Sequence, residues 1–299
     1  MNTPFVQLRF SLELPSDKPN PYVLFAIRQQ FHAAFRRAAG CFYTALTCKA
    51  DVDCPCCYVF DQKLATDPSA LRRYQKPPLP FAFKIPLLTE ELSLGDTIEL
   101  SLVVVGEAIR HLHLFVDGVL SLFGPSGPFK NWQVVSVEAV SVDKNLIAIP
   151  PNMAGGEFDS LPILSFDDFF SEDSVNCSRL RINFQTPLRL VHKGSPLRSV
   201  FFSTVAGALF RRISSLAYYY GGEELPHDFK WLARQSQQVV CSCSDLHWAN
   251  HGGSLQGVEG RAEFSGALAE FIPFLHLGSV LNIGKGASYG MGSYSFSVD

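Results

Sequence analysis

Apolar and polar side chains alternate with a period of two in FVQLRFSLEL, residues 5–14, and again in RLRINFQTPLRL, residues 179–190. That alternation predicts two half-buried strands. Each is followed by an apolar run of helical period that closes on an arginine pair. The first run, YVLFAIRQQFHAAFRR, ends at Arg36 and Arg37; the second, FFSTVAGALFRR, ends at Arg211 and Arg212. The later parts of the two halves match as well. TIELSLVVVGEAIRHLHLFVDGVLSLFG and GRAEFSGALAEFIPFLHLGSVLNIG both read as strand, glycine, amphipathic helix, glycine. Gly106 and Gly124 are 18 positions apart, and so are Gly266 and Gly284. A loop and a last strand follow, WQVVSVEAV in one half and YSFSV in the other.

A repeated β-α-β…β-α-β order with right-handed crossovers gives an antiparallel sheet with two helices on one face. The chain therefore reads as α+β, with two tandem ferredoxin-like domains. The expected boundaries are 1–149 for an N-terminal domain with a cysteine-containing insertion, 150–177 for an acidic linker, and 178–299 for a C-terminal domain with a glycine-rich loop. The linker reading rests on Pro-Pro, Gly-Gly and several serines between Pro150 and Asn176. It also rests on Glu157, Asp159, Asp167, Asp168, Glu172 and Asp173, which run without an intervening base.

The 299 residues are 47% hydrophobic and carry a net charge of −3. That sum argues weakly against a nucleic-acid partner, but the charges are segregated. No acid occurs between Asp17 and Asp51, where Lys18, Arg28, Arg36, Arg37 and Lys49 lie. None occurs between Asp173 and Glu223, where Arg179, Arg181, Arg189, Lys193, Arg198, Arg211 and Arg212 lie. Local basic faces bind phosphates even when the total is negative, because distant charges are screened. The amino terminus lacks a secretory pattern, and no apolar run approaches the ~20 residues of a membrane span. A cytoplasmic protein with reduced thiols is the expectation.

The stretch NIGKGASYGMGSYSF, residues 282–296, is dense in glycine and holds one lysine. A P-loop is excluded by spacing, since five residues separate Gly278 from Gly284 and Gly286 follows Lys285. A dinucleotide fingerprint is excluded because no helix follows. What remains is close backbone approach, to a phosphate chain or to another element.

Together these residues resemble the RAMP superfamily of CRISPR-associated proteins, and within it the precursor CRISPR RNA processing endoribonuclease, the sixth Cas family. The resemblance is carried by Phe264 to Gly266, the helix ALAEFIPFLHLGSVL and the loop GKGASYGMGSY. The segment from Thr186 to Gly221 resembles the opening of that family's second half. LTCKADVDCPCCYVFD is similar to a cysteine-bearing insertion found after the first helix in some members. One departure is the segment after Trp248, ANHGGSLQGVEG, which is shorter than in many relatives and lacks their arginines. The resemblance implies CRISPR repeat RNA, or precursor crRNA, as partner and substrate. It implies metal-independent cleavage by the neighbouring 2′-hydroxyl, giving a cyclic phosphate and a 5′-hydroxyl. It also allows a non-catalytic subunit that binds guide RNA within an effector complex of other Cas proteins. No cofactor and no membrane partner are expected, and the chain is read as a monomer or homodimer.

Such a reaction needs a proton acceptor and positive charge near the phosphorane. Arg28, His32 and Arg36 fall at i, i+4 and i+8 and share one helix face. Flanking cations disfavour the imidazolium, which suits a base. Spacing alone leaves His32 as an ordinary exposed histidine; the resemblance, which places a catalytic histidine in or near the first helix, makes it the leading candidate. Lys285, with Gly284 and Gly286, is the expected phosphate contact of the glycine-rich loop. Arg37, Arg189, His192, Lys193, Arg211 and Arg212 are expected RNA contacts. Trp248 could stack on a base beside His247 and His251, or belong to the core. His111 and His113 read as structural. Cys48, Cys54, Cys56 and Cys57 form C-x5-C-x-C-C, with Cys41 nearby. Zinc is one reading; because the spacing is not a standard zinc pattern, buried or reduced thiols are the reading adopted and no metal is assigned. Cys241 and Cys243 alternate on a strand, which predicts packing.

Overall fold

In the computed structural model, which describes residues 3–42, 48, 54–68, 70, 76–149, 161–170, 177–192 and 194–299, the chain forms two compact units. The first covers Pro4–Leu164; the second takes Met1–Thr3 and Ser165–Asp299.

The first unit begins with β1 (Pro4–Glu13), in which Phe5, Val6, Leu8, Phe10 and Leu12 are buried and the intervening polar residues are not. It continues through α1 (Ile27–Ala38), the short α2 (Pro55–Phe60), β2 (Phe81–Lys84), β3 (Thr97–Val105), α3 (Leu112–Phe123), β4 (Gln133–Val140) and β5 (Leu146–Ala148). The strand order is β2-β3-β1-β4-β5, with every pair antiparallel. Both long helices cover the same sheet face. Phe31 of α1 lies 4.9 Å from Phe83 and 5.3 Å from Phe81, and Phe115 of α3 lies 5.6 Å from Phe81. Phe81 and Phe83 are two apart on one strand and so point the same way. The helices approach closely because α3 has Gly118 at the crossing, where a Cβ would stand 3.3 Å from the Phe31 ring.

The second unit repeats the plan. It contains β6 (Arg179–Leu188), a small ribbon of β7 (Val191–His192) and β8 (Ser195–Pro196), α4 (Phe202–Leu216), α5 (Phe229–Ser236), β9 (Val240–Asn250), β10 (Gln256–Ser265), α6 (Ile272–Leu281) and β11 (Tyr294–Val298). Its four-stranded sheet has the antiparallel order β9-β10-β6-β11. Asp228 caps α5, accepting from the N–H groups of Lys230 and Trp231 at 3.0 and 2.9 Å. Phe202 and Phe210 of α4 meet Phe271 and Phe274 at 5.0 and 4.9 Å. Both units thus have the ferredoxin-like order, and the fold is the tandem one that the repeated pattern predicts.

Tyr294 ties β11 to α6: its buried hydroxyl donates to the Leu275 carbonyl at 2.7 Å. Replacing Tyr294 with Phe is expected to cost about 1 kcal/mol, the net worth of a buried neutral hydrogen bond. A lower urea midpoint with an unchanged slope would show it.

Part of the stretch that reads as a linker is packed. Phe166 is buried, its N–H donates to the Thr3 carbonyl at 3.1 Å, and Phe170 lies 5.0 Å from Phe274. One neighbouring acid caps this turn: Asp168 accepts from the Ser165 N–H at 2.7 Å. Residues 150–160 and 171–176 lie outside the described residues. Thr3 also donates from its hydroxyl to Glu223 at 2.7 Å, and its side chain fills the space a Cβ on Gly221 would need.

Candidate functional site

Helix α1 divides its sides as its sequence demands. Ile27, Phe31, Ala34 and Phe35 are buried, while Arg28 and Arg36 are half-buried and His32 is exposed. The side chain of His32 is nevertheless not bare. Its ring lies 4.2 Å from the ring of Phe60 at a 34° tilt, so one face is covered and an edge reaches solvent. Burial, and then the positive charge of Arg36, lower the pKa of His32 below 6.5, against a smaller opposing effect of Asp61. The imidazole is therefore largely neutral at neutral pH, as a proton acceptor must be. Phe60 comes from α2 and could not be placed beside His32 from sequence, because the contact crosses 28 residues of chain.

The glycine-rich loop lies in the second unit, against the end of β6. Lys285 N–H donates to the Arg189 carbonyl at 2.9 Å, and Gly292 N–H donates to the Pro187 carbonyl at 3.1 Å. Thr186 hydroxyl donates to the Gly290 carbonyl at 2.7 Å. Gly284 and Gly286 have φ of 84° and 88°, and Cβ atoms on them would stand 2.8 Å from the Arg189 carbonyl oxygen and 2.7 Å from the Met291 sulfur. Packing alone thus requires these glycines. The Lys285 side chain is exposed. Beside it, Arg189 is half-buried, and its Nε is buried with no hydrogen-bond partner among the described residues. A buried guanidinium nitrogen left unpaired is costly and suits an anion brought from outside.

Other expected contacts are placed differently. Arg37 and Arg211 are exposed. Arg212 turns inward: its Nε donates to the Leu281 carbonyl at 2.8 Å, and burial lowers its pKa to about 10. It serves the carboxyl end of α6, where the macrodipole favours a cation. His251 is held by both oxygens of Glu259, at 3.0 and 3.1 Å. Trp248 is half-buried and Arg198 stands over its ring at 5.2 Å, a cation–π partner that no local pattern announces. His192 lies on the ribbon strand β7, and Lys193 lies outside the described residues. Charge segregation along the chain is partly cancelled in space, since Arg181 pairs with Glu263 at 2.7 Å across the sheet. His111 keeps a structural character: burial and neighbouring cations lower its pKa to about 4. The packing expected of Cys241 and Cys243 is corrected, because both are exposed and the ladder is irregular between them. An irregular register removes the strict alternation on which that expectation rests.

The cysteines after α1 converge beside α2. Burial and neighbouring thiols raise the Cys56 pKa, and that of Cys57 to about 12. These are the residues able to hold a metal. Among the described residues, no helix is long and apolar enough to cross a membrane.

Two ferredoxin-like units, the second ending in a lysine-bearing glycine loop, define a tandem ferredoxin-like protein. Residues 182–294 match the family model of the CRISPR-associated endoribonuclease Cas6. Residues 3–148 match a second model, described as an N-terminal domain. No curated protein matches by sequence. Among solved structures, a Cas6 product complex aligns with a TM-score of 0.59 at 14% identity, over 98% of this chain and 100% of that one. Thermus thermophilus Cas6 aligns at 0.57 and 13%, over 99% and 100%. A partial Cas6-RT-Cas1–Cas2 complex aligns at 0.60 and 12%, over 100% of this chain and 46% of that one. At these identities the similarity speaks for the fold.

Proposed function

We propose that the protein binds CRISPR repeat RNA and cuts precursor crRNA by attack of the adjacent 2′-hydroxyl, with no catalytic metal. The observation that carries this reading is His32, a solvent-reaching imidazole held neutral on a helix face shared with two arginines. His32 takes the proton of the 2′-hydroxyl as its oxygen bonds to phosphorus. The bond to the 5′ oxygen breaks and that oxygen takes a proton from solvent, leaving as a 5′-hydroxyl beside a 2′,3′-cyclic phosphate, while His32 returns its own proton to solvent. Arg28 and Arg36 stabilise the charge that builds on the phosphorane. Lys285 and Arg189 hold the RNA backbone in the second unit, with Arg37, Arg211, His192 and Lys193 as further contacts. Trp248 and His251 contribute as residues already braced by Arg198 and Glu259. Gly284 and Gly286 act by allowing the loop that presents Lys285. Other Cas proteins are the expected assembly partners, with the chain itself a monomer or homodimer.

A repeat RNA with a single 2′-deoxy at the scissile position tests the mechanism. In chelator, the all-ribose strand is expected to be cut and the deoxy strand to remain intact. Cleavage of the deoxy strand would contradict the reading.

A further inference from the structure

Five of the eight cysteines lie between positions 41 and 57, and the fold gathers their sulfurs. The Sγ atoms of Cys41, Cys54 and Cys56 lie within 4.8 Å of one another, and so do those of Cys48, Cys54 and Cys57. Cys54 belongs to both groups. The Cys41 and Cys54 sulfurs are 3.9 Å apart. A disulfide would need about 2.0 Å. Four thiolates around one zinc ion, each at about 2.3 Å, stand about 3.8 Å apart along the tetrahedron's edges. Each group of three is spaced as three corners of the second arrangement, with the fourth corner to come from the other group.

Local structure explains how the sulfurs meet. After α1, Gly40 adopts a φ of 59° and the Cys41 N–H returns to the Arg36 carbonyl at 2.9 Å, which folds Cys41 back over the helix end. Cys54 is the extended residue before α2, and Pro55 fixes the helix start, so Cys56 and Cys57 fall in its first turn. Cys54 and Cys56 are buried, and the other three are half-buried. Helix α2 itself has only six residues and buries only Cys56 and Val59. A helix that short does not persist without an external tie. Yet its last residue, Phe60, packs on Phe35 at 5.3 Å and on His32 at 4.2 Å.

We propose that these cysteines form a closed thiolate site for a soft divalent cation of the zinc class, with Cys54 obligatory and three further ligands drawn from Cys41, Cys48, Cys56 and Cys57. All four coordination positions are filled by sulfur, so the ion does structural work and leaves no position open to substrate. Its role is to pin α2. The further consequence, that pinning α2 fixes Phe60 against the proton acceptor, rests on the function proposed above; the metal site does not.

Elemental analysis of the full chain, purified without chelator, is expected to find about one zinc per chain, matching a single four-sulfur site. Cys54→Ala should lose that zinc, whereas Cys241→Ser and Cys243→Ser, in the same chain, should retain it. Because Cys54→Ala could fail by misfolding, the wild type is also stripped and refilled with Co²⁺. Strong thiolate-to-cobalt charge-transfer absorption, abolished when the thiols are alkylated first, supports the site. Wild-type protein free of zinc and silent with Co²⁺, or Cys54→Ala that keeps its metal, overturns it. Two equivalents of zinc would overturn the single-ion form. None of these readings involves RNA, so their failure is separable from failure of the ribonuclease reading.

Discussion

Replacing His32 with Ala is expected to slow single-turnover cleavage of repeat RNA by about 10²–10⁴-fold, the usual contribution of a positioned base. RNA affinity should stay within about twofold, since a neutral imidazole adds little to phosphate binding. The pH dependence gives the sharper reading. Burial against Phe60 and the charge of Arg36 both penalise the protonated ring, so its pKa falls below 6.5. The base is active only when neutral, so the rate should rise with pH through that lowered pKa and level off by neutrality. In His32→Ala the acid limb should vanish along with the rate. Undiminished cleavage would move the proton acceptor elsewhere. Tight binding without cleavage by the unaltered chain would favour a guide-binding subunit instead.

Gly292→Ala is expected to destabilise the second unit by roughly 3 kcal/mol or more, among the larger effects of a single methyl group. Gly292 has a φ of 66°, which costs any other residue about 1–2 kcal/mol. Its added Cβ would also overlap the Ile283 carbonyl. Relief demands a backbone shift, and the two hydrogen bonds at risk are Ile283 N–H to the Gly292 carbonyl at 3.2 Å and Gly292 N–H to the Pro187 carbonyl at 3.1 Å. Gly252→Ala is the control. Its φ of 92° is also left-handed, but nothing lies within 4 Å of its Cβ direction. Chemical denaturation of the two variants should therefore separate backbone strain from steric overlap. Equal losses would show that the loop yields freely.

Periodicity carries the fold because it records which side of each element faces the core. Residues 5–14 and 179–190 alternate, and the matched glycines bracket α3 and α6, so the duplicated order was legible before any coordinates. The candidate site was legible only where one helix carries it, as with Arg28, His32 and Arg36. Contacts between distant segments were not. Glu259 on His251, Arg198 over Trp248 and Leu281 on Arg212 each join residues that no local spacing connects. Charge was the least reliable guide, since pairing across strands, as between Arg181 and Glu263, cancels what a linear count separates. The cysteines show the same limit in reverse: an irregular spacing hid a convergence that only the turn at Gly40 and the start of α2 create.

Thr3 belongs to the later unit, through Glu223 and the Phe166 N–H, while Pro4 already starts β1 of the earlier one. A cut within the acidic stretch would therefore not yield two complete bodies, because the downstream fragment would be missing a hydroxyl and a carbonyl delivered from the opposite end of the polypeptide. Ribosomal synthesis supplies Thr3 first and its two partners, the Phe166 N–H and the Glu223 carboxylate, more than 160 residues later, so this seam can close only after both have been made.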